Sequence, residues 1–230
     1  MKKPAMDARL RAAAAYVRQD AVFADVGTDH AYLPLFLLSE KRISRAVLTD
    51  INEGPLSRAR EHAAEYPYLP LMSFHLTDGL VGLEDLGITD VAICGMGGEL
   101  IADIIDRAPF VKNKEMRLIL QPMSRPGALR AYLAREGFLI LSETFVAAQG
   151  KHYVCMLAVF SGAPYVLSAF EEEFGFYPDT KNEAFVSYLL SRERAISRAI
   201  EGMQQGGDEA LSLCALKKEI ESFKKVNRLE

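Results

Sequence analysis

Acidic residues and a glycine follow one apolar stretch of the chain closely enough to form a ligand-binding turn. β-favouring side chains predict a strand over Ala21–Val26, which ends at Gly27. Gly27 lets the backbone pass close beneath a ligand, and Asp25 adds a carboxylate at the same crevice. A dinucleotide fingerprint has glycines where this chain has Asp29 and Ala31, which argues against a pyrophosphate ligand. The charge of Asp29 favours a cationic, phosphate-free ligand such as the sulfonium S-adenosylmethionine, although an ordinary strand-to-helix turn can carry the same residues.

A second acid stands where nucleotide-binding sheets hold a ribose. Asp50 ends a predicted strand over Arg45–Asp50 and lies 23 positions after the glycine of the first turn. At this spacing a carboxylate can accept hydrogen bonds from both ribose hydroxyls. Asn52 predicts the N-cap of a helix that runs to Tyr66, so Asp50 and Ile51 are expected on the exposed connection, where both are candidate cofactor-binding residues. In the plainer alternative, Asp50 only begins that helix.

Two further connections are rich in glycine. A predicted strand within Met72–Leu80 is followed by Asp78 and Gly79, and Asp78 can accept a hydrogen bond from an exocyclic amine such as that of adenine. A fourth strand, within Asp90–Gly98, ends in three glycines that leave room for a flat group such as a purine. A plain turn ahead of a helix is the alternative for this last stretch.

The order of the predicted elements indicates the fold class. Strands alternate with helices and then close in a hairpin, which is the order of an α/β, Rossmann-like class I methyltransferase sheet. The other predicted elements are helices over Pro4–Gln19, Tyr32–Leu38, Glu99–Asp106 and Ala128–Glu136, a strand over Arg117–Gln121, and hairpin strands Phe138–Ala147 and His152–Phe160 joined at Gln149-Gly150.

The C-terminal part of the chain is predicted to be a helical, coiled-coil-like appendage. Helices over Glu183–Met203 and Glu209–Val226, joined by Gln204–Asp208, fit an antiparallel pair. The predicted domains are a methyltransferase domain at 1–162 and a helical hairpin at 163–230. The hairpin has two predicted seams: Phe185, Leu189, Arg192 and Ile196, and Leu213, Leu216, Ile220 and Phe223. It also has one basic cluster: Lys217, Lys218, Lys224, Lys225 and Arg228.

Composition excludes several classes of protein. Half of the 230 residues are hydrophobic, which suits a globular chain, and no apolar run reaches the roughly 20 residues of a membrane span. The cysteines Cys94, Cys155 and Cys214 have no paired metal spacing, so we expect no metal and a reducing, cytoplasmic location. The net charge of −4 leans mildly against a polyanionic partner. No obligate protein partner is evident.

Five motifs together resemble the TrmK family of bacterial tRNA (adenine-22-N1) methyltransferases. They are Asp25–Pro34, Glu53-Gly54-Pro55, Asp78-Gly79-Leu80, Gly95-Met96-Gly97-Gly98 and Leu120-Gln121-Pro122. The resemblance implies S-adenosylmethionine as cofactor, a tRNA substrate, and a C-terminal domain that helps to hold the tRNA. Carried over residue by residue, it assigns the cofactor to these positions: Asp25, Gly27, Asp50, Asp78, Gly79, Gly95 and Met96. One departure is Met123, where such proteins usually have asparagine.

The implied reaction is an in-line methyl transfer to N1 of adenine. Since N1 already carries a lone pair, proximity and alignment supply much of the acceleration. A carboxylate near N6 or N1 would stabilise the positive charge that moves onto the base, so Asp29 is the first catalytic candidate and His30 a second, for base positioning or proton relay. Tyr32 either stacks on the base or packs in the core.

Two other functions fit the same sequence. A methyltransferase of this fold that acts on a protein or a small molecule is favoured by the acidic total charge. A non-catalytic nucleotide-binding module whose hairpin associates with proteins is the third hypothesis. The basic cluster of the hairpin is by default a solvated face, and only the resemblance makes it a tRNA clamp.

Overall fold

The computed structural model describes residues 4–176, 178–203 and 208–229, and for positions 208 and 209 it describes the backbone alone. The chain divides into two compact units, Met1–Val166 and Leu167–Glu230. The division falls four residues after the end of the methyltransferase domain that the sequence predicts.

The described part of the first unit contains a seven-stranded sheet in the order β3-β2-β1-β4-β5-β7-β6. The first five strands pair in parallel, and β7 runs antiparallel between β5 and β6. This is the predicted Rossmann-like arrangement with its closing hairpin. The strands are β1 Ala21–Val26, β2 Ile43–Asp50, β3 Met72–Leu76, β4 Asp90–Gly97, β5 Arg117–Ser124, β6 Phe138–Ala148 and β7 Lys151–Phe160.

Strand β1 lies at the point where the strand order reverses. The chain passes from β1 outward to β2 and β3, and then returns to place β4 on the other side of β1. At the carboxyl end of β1, Val26 pairs with Thr49 of β2 and with Ile93 of β4. In open α/β sheets, ligands bind in the crevice outside the carboxyl ends of the strands at such a switch point.

In the described residues of this unit, five α-helices accompany the sheet, and the first is shorter than predicted. They are α1 Ala8–Tyr16, α2 Tyr32–Ser39, α3 Glu53–Ala63, α4 Gly98–Asp106 and α5 Pro126–Arg135. Helix α1 starts late because the carboxylate of Asp7 accepts a 3.0 Å hydrogen bond from the amide of Leu10 and caps the helix. It stops at Tyr16 because Val17 has extended backbone angles. The prediction of a helix over Pro4–Gln19 was therefore wrong at both ends.

An ion pair connects the segment after α1 to the amino end of β4. Asp90 is completely buried and accepts hydrogen bonds from the backbone amide of Arg18 at 2.9 Å and from its Nε at 2.8 Å. The surrounding core of the central strands is apolar, with Phe23, Leu48 and Val91 fully buried. Because burying a charged carboxylate is costly unless it is paired, the ion pair with Arg18 compensates Asp90 and fixes the start of β4 in the sheet.

The second unit consists of three helices in its described residues: α6 Ala169–Phe174, α7 Glu183–Gly202 and α8 Asp208–Asn227. Helix α6 was not predicted. Its Phe174 is buried with the ring centroid 6.5 Å from that of Phe185 on α7. Arg192 is not an apolar seam residue, because its guanidinium binds Glu173 of α6 at 3.1 Å. Most of the predicted connection, 204–207, lies outside the described residues.

Candidate functional site

A crevice of about 200 Å³ opens at the carboxyl ends of β1, β4 and β5, at the switch point of the sheet. Four of the predicted site residues line it: Asp25, Gly27, Asp29 and Gly95. The other residues of its wall are Arg9, Leu10, Thr28, Tyr32, Leu33, Cys94 and Gln121. The turn after β1 and the end of β4 are therefore brought together.

Asp25 is a buried carboxylate at the end of β1. Burial raises the pKa of its carboxyl from 3.8 to about 6, because desolvation penalises the charged form, and the nearby Thr28 hydroxyl only partly opposes the shift. The Thr28 hydroxyl is itself buried and makes no hydrogen bond of ordinary geometry within the described residues. The crevice thus holds two buried polar groups with capacity to bind a ligand.

Thr49, near the end of β2, connects two of the turns at this edge, and sequence reasoning missed it. Its carbonyl oxygen accepts hydrogen bonds from the amides of Gly27 at 2.8 Å and Thr28 at 3.0 Å. Its hydroxyl donates to the carbonyl oxygen of Gly79 at 2.8 Å. Thr49 is fully buried, so these bonds are shielded from water. The available signal was a hydroxyl-bearing residue directly after the apolar run 46–48 and immediately before Asp50.

The glycines of the crevice differ in their surroundings. Gly27 has a φ of 72°, and a Cβ atom there would lie 2.0 Å from the terminal methyl of Met96. Met96 therefore packs directly over the Gly27 backbone, although it is not part of the crevice wall. Gly95 has a φ of 81° and open space where a Cβ would be. The positive φ explains why glycine suits both positions.

Asp29 lies at the mouth of the crevice, with more than half of its side chain exposed. One carboxylate oxygen accepts a 3.1 Å hydrogen bond from Nε of Arg58 on α3. The same oxygen is 3.6 Å from Nε2 of His30. Asp29 can therefore reach a ligand in the crevice while its orientation is set by neighbouring side chains.

His30 lies beside the crevice wall and not in it. Both His30 and Ala31 have left-handed backbone angles, with φ of 66° and 55°. The His30 carbonyl accepts a 2.6 Å hydrogen bond from Nδ1 of His62. The rings of His30 and Tyr32 are 5.5 Å apart, and Tyr32 is 36% exposed on the crevice wall. The alternative that Tyr32 packs in the core was thus wrong.

The predicted ribose acid lies outside this crevice wall. A carboxylate oxygen of Asp50 accepts a 2.8 Å hydrogen bond from the amide of Asn52, and Ile51 between them is 64% exposed. Asn52 occupies the N-cap position of α3, as predicted, but its side chain makes no capping hydrogen bond. Helix α3 ends at Ala63, three residues before the predicted Tyr66.

The predicted adenine site is one turn further along the sheet edge. The carboxylate of Asp78 is half exposed and pairs with the guanidinium of Arg107 at 3.2 Å. Gly79 has a φ of 64°, and a Cβ there would lie 2.8 Å from Cγ2 of Ile104 on α4. The hydrogen bond from Thr49 ties this turn to the crevice, but neither Asp78 nor Gly79 lines its wall.

Arg9 and Cys94 are wall residues that the sequence did not single out for the site. Nη1 of Arg9 contacts Sδ of Met123 at 2.9 Å, so the residue at the unusual position packs beside the crevice. Burial raises the pKa of the Cys94 thiol, which therefore stays protonated. The position of Cys94 at the end of β4 exposes it to the crevice.

No group of three or more histidine, cysteine or acidic side chains among the described residues could hold a metal ion. Likewise, none of the described helices is long and apolar enough to cross a membrane.

Comparison with known proteins identifies a sequence family and close relatives. Residues 6–156 match the family described as methyltransferase domain. The tRNA (adenine(22)-N(1))-methyltransferase of Bacillus subtilis (strain 168) is 31% identical over 158 residues, which are 69% of this chain and 66% of that relative. In sequence, the chain thus spans just under two thirds of the length of this relative.

Solved structures match over a longer region. The B. subtilis m1A22 tRNA methyltransferase TrmK superimposes with a TM-score of 0.81 at 26% identity, over 97% of this chain and 99% of that one. A Streptococcus pneumoniae protein assigned as a tRNA (m1A22) methyltransferase, solved in complex with S-adenosyl-L-methionine, gives a TM-score of 0.82 at 29% identity, over 95% of this chain and 99% of that one. Both units of the chain are therefore represented in similar proteins.

Proposed function

Because the chain belongs to the methyltransferase domain family and resembles its TrmK members throughout, we propose that it transfers a methyl group from S-adenosylmethionine to N1 of an adenine in tRNA, at position 22. The observation that carries the proposal is the crevice at the switch point, with a buried carboxylate at its base and a half-exposed one at its mouth. A tRNA substrate places the activity in the cytoplasm.

The polar groups of the crevice fit the proposed cofactor. Asp25 is buried, and no cation among the residues that the structure describes stabilises its charge, so a positively charged ligand favours its ionised form. The unpartnered hydroxyl of Thr28 offers a further hydrogen bond, and the open space at Gly95 leaves room for a flat group. When bound, S-adenosylmethionine supplies an electrophilic methyl group.

The two remaining acids would hold the nucleoside part of the cofactor. Asp50 lies on the connection after β2, next to the exposed Ile51, where it would accept hydrogen bonds from ribose hydroxyls. Asp78 would accept a hydrogen bond from the adenine amine, beside Gly79. Because Arg107 pairs with Asp78, the Asp78 carboxylate either accepts hydrogen bonds from both Arg107 and the amine, or releases Arg107 when the amine binds.

Asp29 is the proposed catalytic residue. Its exposed carboxylate lies at the mouth of the crevice, where the target base would enter. There it would accept a hydrogen bond from N6 and stabilise the positive charge that develops on the base. His30 would orient Asp29, and Tyr32 would provide a ring for the base to stack on. Removing the base from its stack in tRNA costs about a few kcal/mol.

The experiment is a nucleoside analysis of tRNA that lacks the modification. The tRNA is incubated with the protein and S-adenosylmethionine, digested, and assayed for 1-methyladenosine. We expect 1-methyladenosine with wild type, and a rate reduced by about 10²–10³-fold for Asp29→Asn, which keeps the shape but not the charge. Wild type that methylates proteins or metabolites but no tRNA would contradict the proposal, as would binding of S-adenosylmethionine without any turnover.

A further inference from the structure

We propose that His62, on α3, is a positioning residue for this methyl transfer: it holds the backbone of His30 and the ring of Tyr32, and thereby sets where Asp29 meets the target base. The inference rests on the proposed function. None of the motifs that indicated the reaction contains His62, which lies in the last turn of the helix.

The hydrogen bond of His62 fixes both partners. Its Nδ1 lies 2.6 Å from the carbonyl oxygen of His30. A carbonyl oxygen can only accept, so Nδ1 carries the proton, and in the neutral ring Nε2 is the unprotonated nitrogen. The bond therefore selects one tautomer of His62 and holds the carbonyl between Asp29 and α2 in one direction.

The segment that receives this bond needs external support. His30 and Ala31 are consecutive non-glycine residues in the left-handed region, where Cβ comes too close to the following carbonyl oxygen. Ala31 is also the N-cap of α2, yet its side chain cannot cap the helix. Strained backbone of this kind persists where surrounding groups hold it in place, and such strain clusters at active sites. The His62 hydrogen bond is one such restraint.

The ring of His62 adds a second restraint. It packs edge-on against Tyr32, with centroids 5.1 Å apart, and against Tyr66 at 5.3 Å. Tyr32 is thereby confined on the crevice wall while its ring stays exposed to the crevice.

The two side chains of α3 that reach this segment are spaced four residues apart. Arg58 binds Asp29, and His62 binds His30 and contacts Tyr32. Residues at i and i+4 lie on the same helix face. One face of α3 therefore holds three of the four positions from 29 to 32.

Two substitutions separate the hydrogen bond from the ring contacts. His62→Phe keeps an aromatic ring but loses the donor, whereas His62→Asn keeps an N–H near the position of Nδ1. We expect His62→Phe to lower kcat for tRNA methylation by at least about tenfold, and His62→Asn to recover most of that loss. The dissociation constant for S-adenosylmethionine and the Tm should stay close to wild type in both. His75→Phe, the same exchange at a histidine in β3, is the matched control with unchanged kcat.

A readout without cofactor or tRNA accompanies the kinetics. Nitrogen-15 spectra of the imidazole in the free protein should show His62 protonated at Nδ1. A ring protonated at Nε2 alone would overturn the inference, and so would wild-type kcat in His62→Phe or a failure of His62→Asn to recover activity. Wild type that makes no 1-methyladenosine would overturn the proposed function, and the catalytic role of His62 with it, while the spectra would still decide whether the hydrogen bond exists.

Discussion

The hydroxyl of Thr49 donates a 2.8 Å hydrogen bond to the carbonyl oxygen of Gly79, and this bond ties the turn after β3 to the end of β2. The carbonyl oxygen of Thr49 accepts from the amides of the turn after β1. The buried Thr49 therefore joins the Asp78-Gly79 loop, which we assign to the adenine, to the loop after β1, which contains Asp29. A substitution that releases one of these loops should therefore also affect the other loop.

Thr49→Val removes the hydroxyl with little change of shape. The buried Gly79 carbonyl loses its partner, which should lower the free energy of unfolding by about 1–3 kcal/mol. Cofactor affinity should fall as well, because the Asp78-Gly79 turn is released. Urea unfolding and calorimetry measure the two effects. Thr49→Ser keeps the hydroxyl and should retain most of the cofactor affinity. Equal affinity in Thr49→Val and wild type would contradict the coupling.

The raised pKa of Asp25 predicts a pH-dependent stability. The folded state holds a proton on Asp25 up to pH of about 6, whereas the unfolded state releases it near 3.8. The stabilisation is therefore complete below pH 4 and is lost as the pH rises to about 6, an effect of about 3 kcal/mol. Asp25→Asn removes this dependence. Above pH 6 it should be more stable than wild type by about that amount, and below pH 4 the difference should vanish.

Asp25→Asn should weaken cofactor binding although it stabilises the fold. If the ionised carboxylate binds the cationic cofactor, wild-type affinity should fall by about tenfold for each pH unit below 6. The affinity of the variant should show no such fall. Calorimetric titrations at pH 5, 6 and 7 compare the two proteins. A pH-independent affinity in wild type would show that Asp25 does not bind the cofactor as an anion.

Gly98→Ala tests the close approach of α4 to the connection after β5. A Cβ at Gly98 would lie 2.4 Å from the carbonyl oxygen of Arg125, which is backbone and cannot simply rotate away. We expect a loss of about 1–3 kcal/mol in unfolding free energy. Gly54→Ala is the matched control, since Gly54 is also in the first turn of a helix but its nearest neighbour is a flexible side chain at 3.6 Å. The control should lose nothing.

The basic cluster of the hairpin can be divided by its ion pairs. Lys224 binds Glu193 at 2.8 Å and is largely shielded, so Lys224→Ala should weaken the packing of α7 on α8 and leave tRNA affinity unchanged. We propose that the cluster contacts tRNA through Lys217, Lys218 and Lys225. Changing these three to alanine should weaken tRNA binding and reduce the slope of log K against log salt by roughly 1 per lost phosphate contact. An unchanged slope would remove the hairpin from the tRNA interface.

The sequence predicted those elements whose signals are local. Strand β1 has the predicted bounds because β-favouring residues stop at Gly27. The hairpin turn was predicted at Gln149-Gly150. In the structure both residues adopt the positive φ that a two-residue hairpin turn requires. The prediction made α1 too long because the periodic pattern continues beyond the residues that follow the Asp7 cap. Helix α6 was not predicted because it is too short to give a periodic signal.

Four of the residues proposed for the site lie together in the structure. Asp25, Gly27, Asp29 and Gly95 meet in one crevice because strand ends in a parallel sheet meet at one edge. The contributions of Thr49, Arg9 and His62 depend on which strands and helices become neighbours in the fold, and a single sequence does not encode that in any spacing. The roles assigned to Asp50, Ile51, Asp78, Gly79 and Met96 stay predictions.

The strand order has a consequence for biosynthesis. Since β7 lies between β5 and β6, the last strand to leave the ribosome enters the interior of the sheet. Until residue 160 has emerged, β5 presents an unpaired edge, and such edges promote aggregation. Nascent chains stalled before β7 should therefore depend on chaperones, whereas chains that include β7 should not.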